Sequence, residues 1–204
     1  MNWKLAAFFC ATACFAGDFE LGLSVGYGAY RNASVTSPAG SAVAGFDNRI
    51  AAGAFFGEDL YQHLSGEVRY DFQDGGGFLS TTGAQQSISG RSHAVHYDFL
   101  LHARRREAAL RPFVAFGGGI KEYQFTGPSA AFFPAALIHG HQAVGLLSVG
   151  AGVRYRVTNR IYVRGDFRDY ITPMPTSLFR PAAGAHDEGF FHQFTPMVSV
   201  SFRP

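Results

Sequence analysis

The stretch from Leu147 to Tyr170, LSVGAGVRYRVTNRIYVRGDFRDY, alternates with a period of two. Leu147, Val149, Ala151, Val153, Tyr155 and Val157 fall on one face, and Ser148, Gly150, Gly152, Arg154 and Arg156 on the other. After Thr158-Asn159 the pattern resumes, with Ile161, Val163 and Phe167 against Tyr162, Arg164, Asp166, Arg168 and Tyr170. Only a β-strand sends successive side chains to opposite faces. The segment is therefore two antiparallel strands joined by a tight turn, each with one apolar and one charged face.

The same alternation recurs. Phe19 to Tyr30 opposes Leu21, Leu23, Val25 and Tyr27 to Glu20, Gly22, Ser24 and Gly26. A weaker run spans Phe46 to Phe56. Leu64, Val68, Tyr70 and Phe72 oppose Ser65, Glu67, Arg69 and Asp71, while Val95, Tyr97, Phe99 and Leu101 oppose His96, Asp98 and His102. Arg111 to Phe125 is a fifth strand whose facing the pattern does not fix. Phe194, Pro196, Val198, Val200 and Phe202 line one face of the last, so the chain predicts eight strands. Long Gly/Ser/Pro-rich connections follow strands one, three, five and seven (31–43, 74–90, 126–140 and 172–189). Short ones follow two, four and six (57–63, 104–111 and 158–160). Antiparallel strands in this rhythm collect the long loops at one end of the sheet and the tight turns at the other.

Alternation alone does not say which face is buried. A lipocalin-like soluble barrel turns its apolar face inward, and a membrane barrel turns it outward to lipid. Runs of ten or more residues match the roughly 9–11 that cross a bilayer at a tilt. Charged residues make up 16% of the 204, below the usual quarter or so, and the only lysines are Lys4 and Lys121. The polar face carries both signs in close sequence, as Glu67-Arg69-Asp71 and Arg164-Asp166-Arg168. A sealed interior needs such pairing, and the planar arginine fork suits it. Glycines on the polar face would make room in a narrow interior. The expected fold is an all-β, eight-stranded antiparallel up-and-down transmembrane barrel, grease outward and charge inward. Its lumen charge network is expected to be Glu20, Glu67, Arg69, Asp71, Asp98, Arg154, Arg164, Asp166 and Arg168.

The opening MNWKLAAFFCATACFAGDFE has Lys4, an apolar run from Leu5 to Ala16 and small residues before Gly17. The run is too short for a spanning helix, which needs about 20 apolar residues, and reads as a secretory signal over 1–16. The barrel domain is then 17–204. Both cysteines, Cys10 and Cys14, fall in the signal, leaving none for a disulfide afterwards.

Signal, eight strands, the long-loop and short-turn rhythm and a last strand reading FTPMVSVSF resemble the small outer-membrane β-barrels of the OmpA/OmpX type. The resemblance implies a Gram-negative-type outer membrane, both termini periplasmic, long loops outside the cell and a terminal aromatic that aids assembly. Phe202 occupies that position, followed here by Arg203-Pro204. No peptidoglycan-binding domain is expected after the barrel.

Several local constellations could carry chemistry. His63, Ser65 and Glu67 in HLSGE share one parity, and a serine nucleophile needs a base within hydrogen-bond reach. The run distantly resembles the His-x-Ser-Asn pattern of PagL-type lipid A deacylases, with Gly66 replacing the asparagine, and reads better as interior hydrogen bonding. His139 and His141, or His186, Asp187 and Glu188, would hold a metal only if they converge in space; they read as mobile, solvated loop residues. FGGGIKEY lies within a strand and is no phosphate loop. The arginines Arg104 to Arg106 form a basic turn, solvated or in contact with lipid phosphate. With a net charge of +2 and no basic stripe, no nucleic-acid partner is expected, and neither is a cofactor or an enzymatic activity. The expected partners are outer-membrane lipid and lipopolysaccharide, with an extracellular ligand of the loops. The role is envelope integrity, adhesion or surface recognition, with a narrow channel for small or hydrophobic solutes as the alternative.

Overall fold

The computed structural model describes residues 19–38 and 40–204; residues 1–16, read above as a secretory signal, lie outside them. Eight long strands close into one antiparallel barrel: β1 (Phe19–Arg31), β4 (Arg49–Asp59), β5 (Leu64–Asp74), β8 (Gly90–His102), β9 (Leu110–Phe125), β12 (Gly140–Arg156), β13 (Ile161–Pro173) and β16 (Phe190–Phe202). Each pairs with its chain neighbour in the barrel, and β1 closes on β16 through Leu21↔Phe202 to Arg31↔His192.

The period-two pattern divides the barrel wall as expected. Leu23, Ile50 and Ile120 point outward and are 71%, 68% and 60% exposed. Arg69, Asp98 and Arg168 point inward and are 0% exposed. A water-soluble barrel with this many outward aliphatic and aromatic residues would leave a continuous apolar girdle in water, far beyond what soluble surfaces tolerate. Among the described residues no helix is long and apolar enough to cross a membrane; the spanning elements are strands. β9, whose facing the sequence left open, turns Arg111, Phe113, Ala115, Lys121 and Tyr123 inward.

The long connections differ from the irregular loops expected. They fold into eight further short strands. β2 (Ala33–Ser37), β3 (Gly40–Phe46), β6 (Gly77–Thr81), β7 (Ala84–Ile88) and β15 (His186–Glu188) form a five-stranded sheet in the order β15-β2-β3-β6-β7. β10 (Ala130–Phe132), β11 (Ala135–Leu137) and β14 (Phe179–Pro181) form a three-stranded one. Between them lies an apolar core that includes Val35, Phe46, Leu79, Phe125, Leu137, Phe179 and Phe191, all 5% exposed or less. This cap obeys the ordinary rule, apolar inside, while the barrel below inverts it. The reason is the change of solvent: once strands leave lipid for water, burying aromatic surface inward is again favourable.

Candidate functional site: the filled lumen

Side chains from all eight barrel strands meet along the axis in three layers. The lowest lies at the short-turn end, where both Phe19 and Phe202 sit. There Glu20 accepts from Arg154 Nη1 at 2.7 Å and from Ser201 Oγ at 2.6 Å. Asp59 accepts from Arg111 Nη1 at 3.0 Å, Arg203 Nη2 at 2.7 Å and Ser65 Oγ at 2.7 Å. Burial disfavours the Arg203 charge, yet the Asp59 carboxylate outweighs it and raises the guanidinium pKa.

The middle layer carries the alternating triplets of β5 and β13. Arg164 and Glu67 meet as two forks, Nη1 to Oε2 at 2.6 Å and Nη2 to Oε1 at 3.1 Å. Arg69 Nε donates to Glu67 at 2.9 Å, and Arg168 Nε to Asp166 at 2.9 Å; Arg168 also pairs with Asp98. His96 stands between two carboxylates, 3.3 Å from Asp71 and 3.1 Å from Asp98. Tyr170 Oη donates to Asp71 at 2.7 Å. Phe55 floors the layer, with the Arg164 guanidinium 4.2 Å and the Arg69 guanidinium 5.2 Å from its ring centre. Delocalised, weakly hydrated guanidinium suits such stacking on an aromatic face.

The upper layer is built around Lys121. Its ammonium donates to Tyr30 Oη at 2.8 Å and to Gln193, and lies 4.8 Å from both the Tyr30 and Tyr123 ring centres. Gln193 in turn bonds Gln73. Above it the cap core begins, with Phe46 in contact with the rings of Tyr123 (4.5 Å), Phe191 (5.0 Å), Tyr30 (5.1 Å) and Phe179 (5.3 Å).

Glycines give these layers their space. A Cβ on Gly117 would overlap Asp98, one on Gly119 His96, and one on Gly150 or Gly152 the Arg168 or Asp166 side chain. The interior of an eight-stranded barrel has little room to spare, so the bulk of Arg168, Asp166, Asp98 and His96 is in each case matched by a missing side chain on the paired strand.

Of the nine residues expected in the lumen, Glu67, Arg69, Asp71, Asp98, Arg164, Asp166 and Arg168 lie together in the middle layer. Glu20 and Arg154 lie apart from them, in the lower layer. Asp59, Arg111, Arg203 and Lys121 also belong to the interior and were not read there. The first three sit at strand ends, where parity gives out, and the glycines of β9 hide the alternation around Lys121. Arg156, read on the inward face, instead donates to the Glu107 carbonyl at 2.9 Å in the turn below.

The other constellations resolve as follows. Ser65 bonds His102 Nε2 at 2.8 Å, not His63, whose Nδ1 donates to the His102 carbonyl at 2.9 Å. Ser65 and His102 are buried, so this pair serves the lower layer. His139 is held in the cap, its Nδ1 donating to the Gly127 carbonyl at 3.1 Å, and His186 lies in β15; these are strand and turn positions of a folded cap and not mobile loops. Among the described residues no three His, Cys, Asp or Glu side chains gather as a metal site would require.

A closed antiparallel barrel, apolar outside and ion-paired within, defines an integral β-barrel of the outer-membrane class. The family model described as "Outer membrane protein beta-barrel domain" matches residues 4–202, and the chain belongs to that family; the protein is located in the outer membrane. Neisserial surface protein A superposes with a TM-score of 0.58 at 11% identity, covering 92% of this chain and 98% of that one. The outer membrane protease OmpT of Escherichia coli gives 0.53 at 11%, covering 95% and 99%. The N-terminal barrel domain of OprF from Pseudomonas aeruginosa gives 0.49 at 13%, covering 91% and 97%. At such identities the likeness is one of fold. No curated protein matches the chain significantly.

Proposed function

We propose that this is a non-conducting, non-enzymatic barrel that acts through its cap in surface recognition, adhesion or envelope integrity. The cap faces outside the cell and the short turns and both termini of the barrel domain face the periplasm, after export on a signal cleaved from residues 1–16. The observation that supports this reading is the packing of the interior. Three polar layers and an aromatic core succeed one another along the axis, and the two internal cavities among the lumen residues hold about 10 Å³ each. That is room for about one water molecule, too little to hold a solute. A plugged barrel leaves the exposed cap as the surface through which the protein meets anything other than lipid and lipopolysaccharide. Planar-bilayer recording tests the reading: the refolded protein is expected to stay silent, and steady, reproducible conductance steps would replace it with a narrow channel.

A further inference from the structure

The basic turn between β8 and β9 is not absorbed by the lumen or the cap. It lies beside the turn between β12 and β13, because β9 and β12 are barrel neighbours, and Arg156 ties the two through the Ala109 and Glu107 carbonyls. Together these turns bring Arg104, Arg105, Arg106, Arg156 and Arg160 to one side of the short-turn rim, with Glu107 as their one carboxylate. Arg104, Arg105 and Arg160 are exposed, and among the described residues none of the three guanidinium groups has a carboxylate in salt-bridge range.

A second feature meets this patch. Just above it, on the outward face, the last residues of β8 and the first of β9 frame an open trough of about 530 Å³ lined by Leu101, Ala103, Pro112 and Val114 together with His63, His102 and Phe113. Small Ala103 and Pro112 make the hollow, and Leu101 and Val114, register partners across the two strands, form its walls. The residue after Ala103 is Arg104, so the apolar trough runs directly into the cationic rim.

We infer that this trough and rim form a binding site for an anionic phospholipid, with an acyl chain along Leu101, Ala103, Pro112 and Val114 and its phosphate on Arg104, Arg105 and Arg160. The trough is continuous with the lipid-facing girdle, so its occupant is an amphiphile already in the bilayer. A soluble polyanion would satisfy the arginines and leave the trough unused. The inference rests on the orientation proposed above only for the leaflet, which is then the periplasmic one.

The test is native mass spectrometry of the protein released from nanodiscs of equal phosphatidylglycerol and phosphatidylcholine with matched chains. One phosphatidylglycerol is expected to stay bound in preference to phosphatidylcholine. Arg104→Ser/Arg105→Ser/Arg160→Ser is expected to lower that preference by roughly fivefold per arginine, the scale of one cation near an anionic lipid surface. Val114→Trp, which fills the trough without touching charge, is expected to abolish the retained lipid while the barrel still shifts on heating in SDS. Equal retention of both lipids by the unaltered protein, or an unchanged preference in the triple variant, would overturn the site. Displacement of the lipid by soluble glycerophosphoglycerol would reduce it to an anion site and remove the role of the trough. Labelling of the Arg105→Cys variant by an impermeant maleimide on intact cells would overturn the orientation alone and leave the binding result standing.

Discussion

Arg164 reaches Glu67 from the diametrically opposite strand of the barrel, and the two meet fork to fork at 2.6 and 3.1 Å. One pair thus spans the full width of the lumen. Tyr170 and Asp71 span the same two strands within the same layer, and Lys121 and Tyr30 join another opposed pair. The wall is held by ladder hydrogen bonds, and these contacts act as struts across it.

Removing one end of such a strut leaves the other charged and without water. Glu67→Ala should destabilise the folded barrel by about 3–5 kcal/mol, the usual cost of breaking a buried pair from one side. The double change Glu67→Ala/Arg164→Met should recover part of that loss, because neither end is then stranded. Urea unfolding in micelles, read as a double-mutant cycle, measures both.

The interior glycines predict a sharp contrast. Gly150→Val places side-chain carbon where the Arg168 side chain and the Phe167 carbonyl already stand, whereas a Cβ on outward Gly165 meets nothing within 4 Å. The first variant should fail to give the compact heat-modifiable band after refolding. Gly165→Ala should fold as the parent does, within about 0.5 kcal/mol.

Phe46 is the hub of the cap and meets the upper polar layer through the rings of Tyr30 and Tyr123. Phe46→Ala should loosen the cap by about 3–5 kcal/mol, as for other buried phenylalanines, and leave the barrel intact. Limited proteolysis of inserted protein should then cut within 33–46 or 77–88 while the strands stay protected. Cleavage that instead degrades the barrel would mean that cap and barrel unfold together.

The mature protein should begin at or near Gly17. Intact mass measurement of protein extracted from the outer membrane checks this, and a retained 1–16 segment would refute the signal.

The barrel was legible because its chemistry is written at a single period. Each β5 and β13 triplet places three charges of mixed sign on one face, and the two triplets together cancel, which pointed to a closed face. The lower layer was not legible, since Asp59, Arg111 and Arg203 lie one residue from turns, where facing depends on how the chain bends. The cap was hidden for a different reason. Val35, Leu79, Leu137 and Phe179 sit in strands of three to five residues, too short for alternation to stand out among glycine and serine. Their association depends on which barrel strands are neighbours, a fact of topology that no local window contains.

The apolar core of the cap gathers Val35, Phe46, Leu79, Phe125, Leu137, Phe179 and Phe191, drawn from seven strands across most of the chain. None of these strands could assemble that core alone, and the barrel brings them within reach only when its β1–β16 seam is shut. The outer surface of the cap is therefore a signature of completed insertion. Anything that recognises the folded cap, whether antibody, ligand or neighbouring cell, recognises only molecules whose barrel has closed, and an unfinished chain is silent to it.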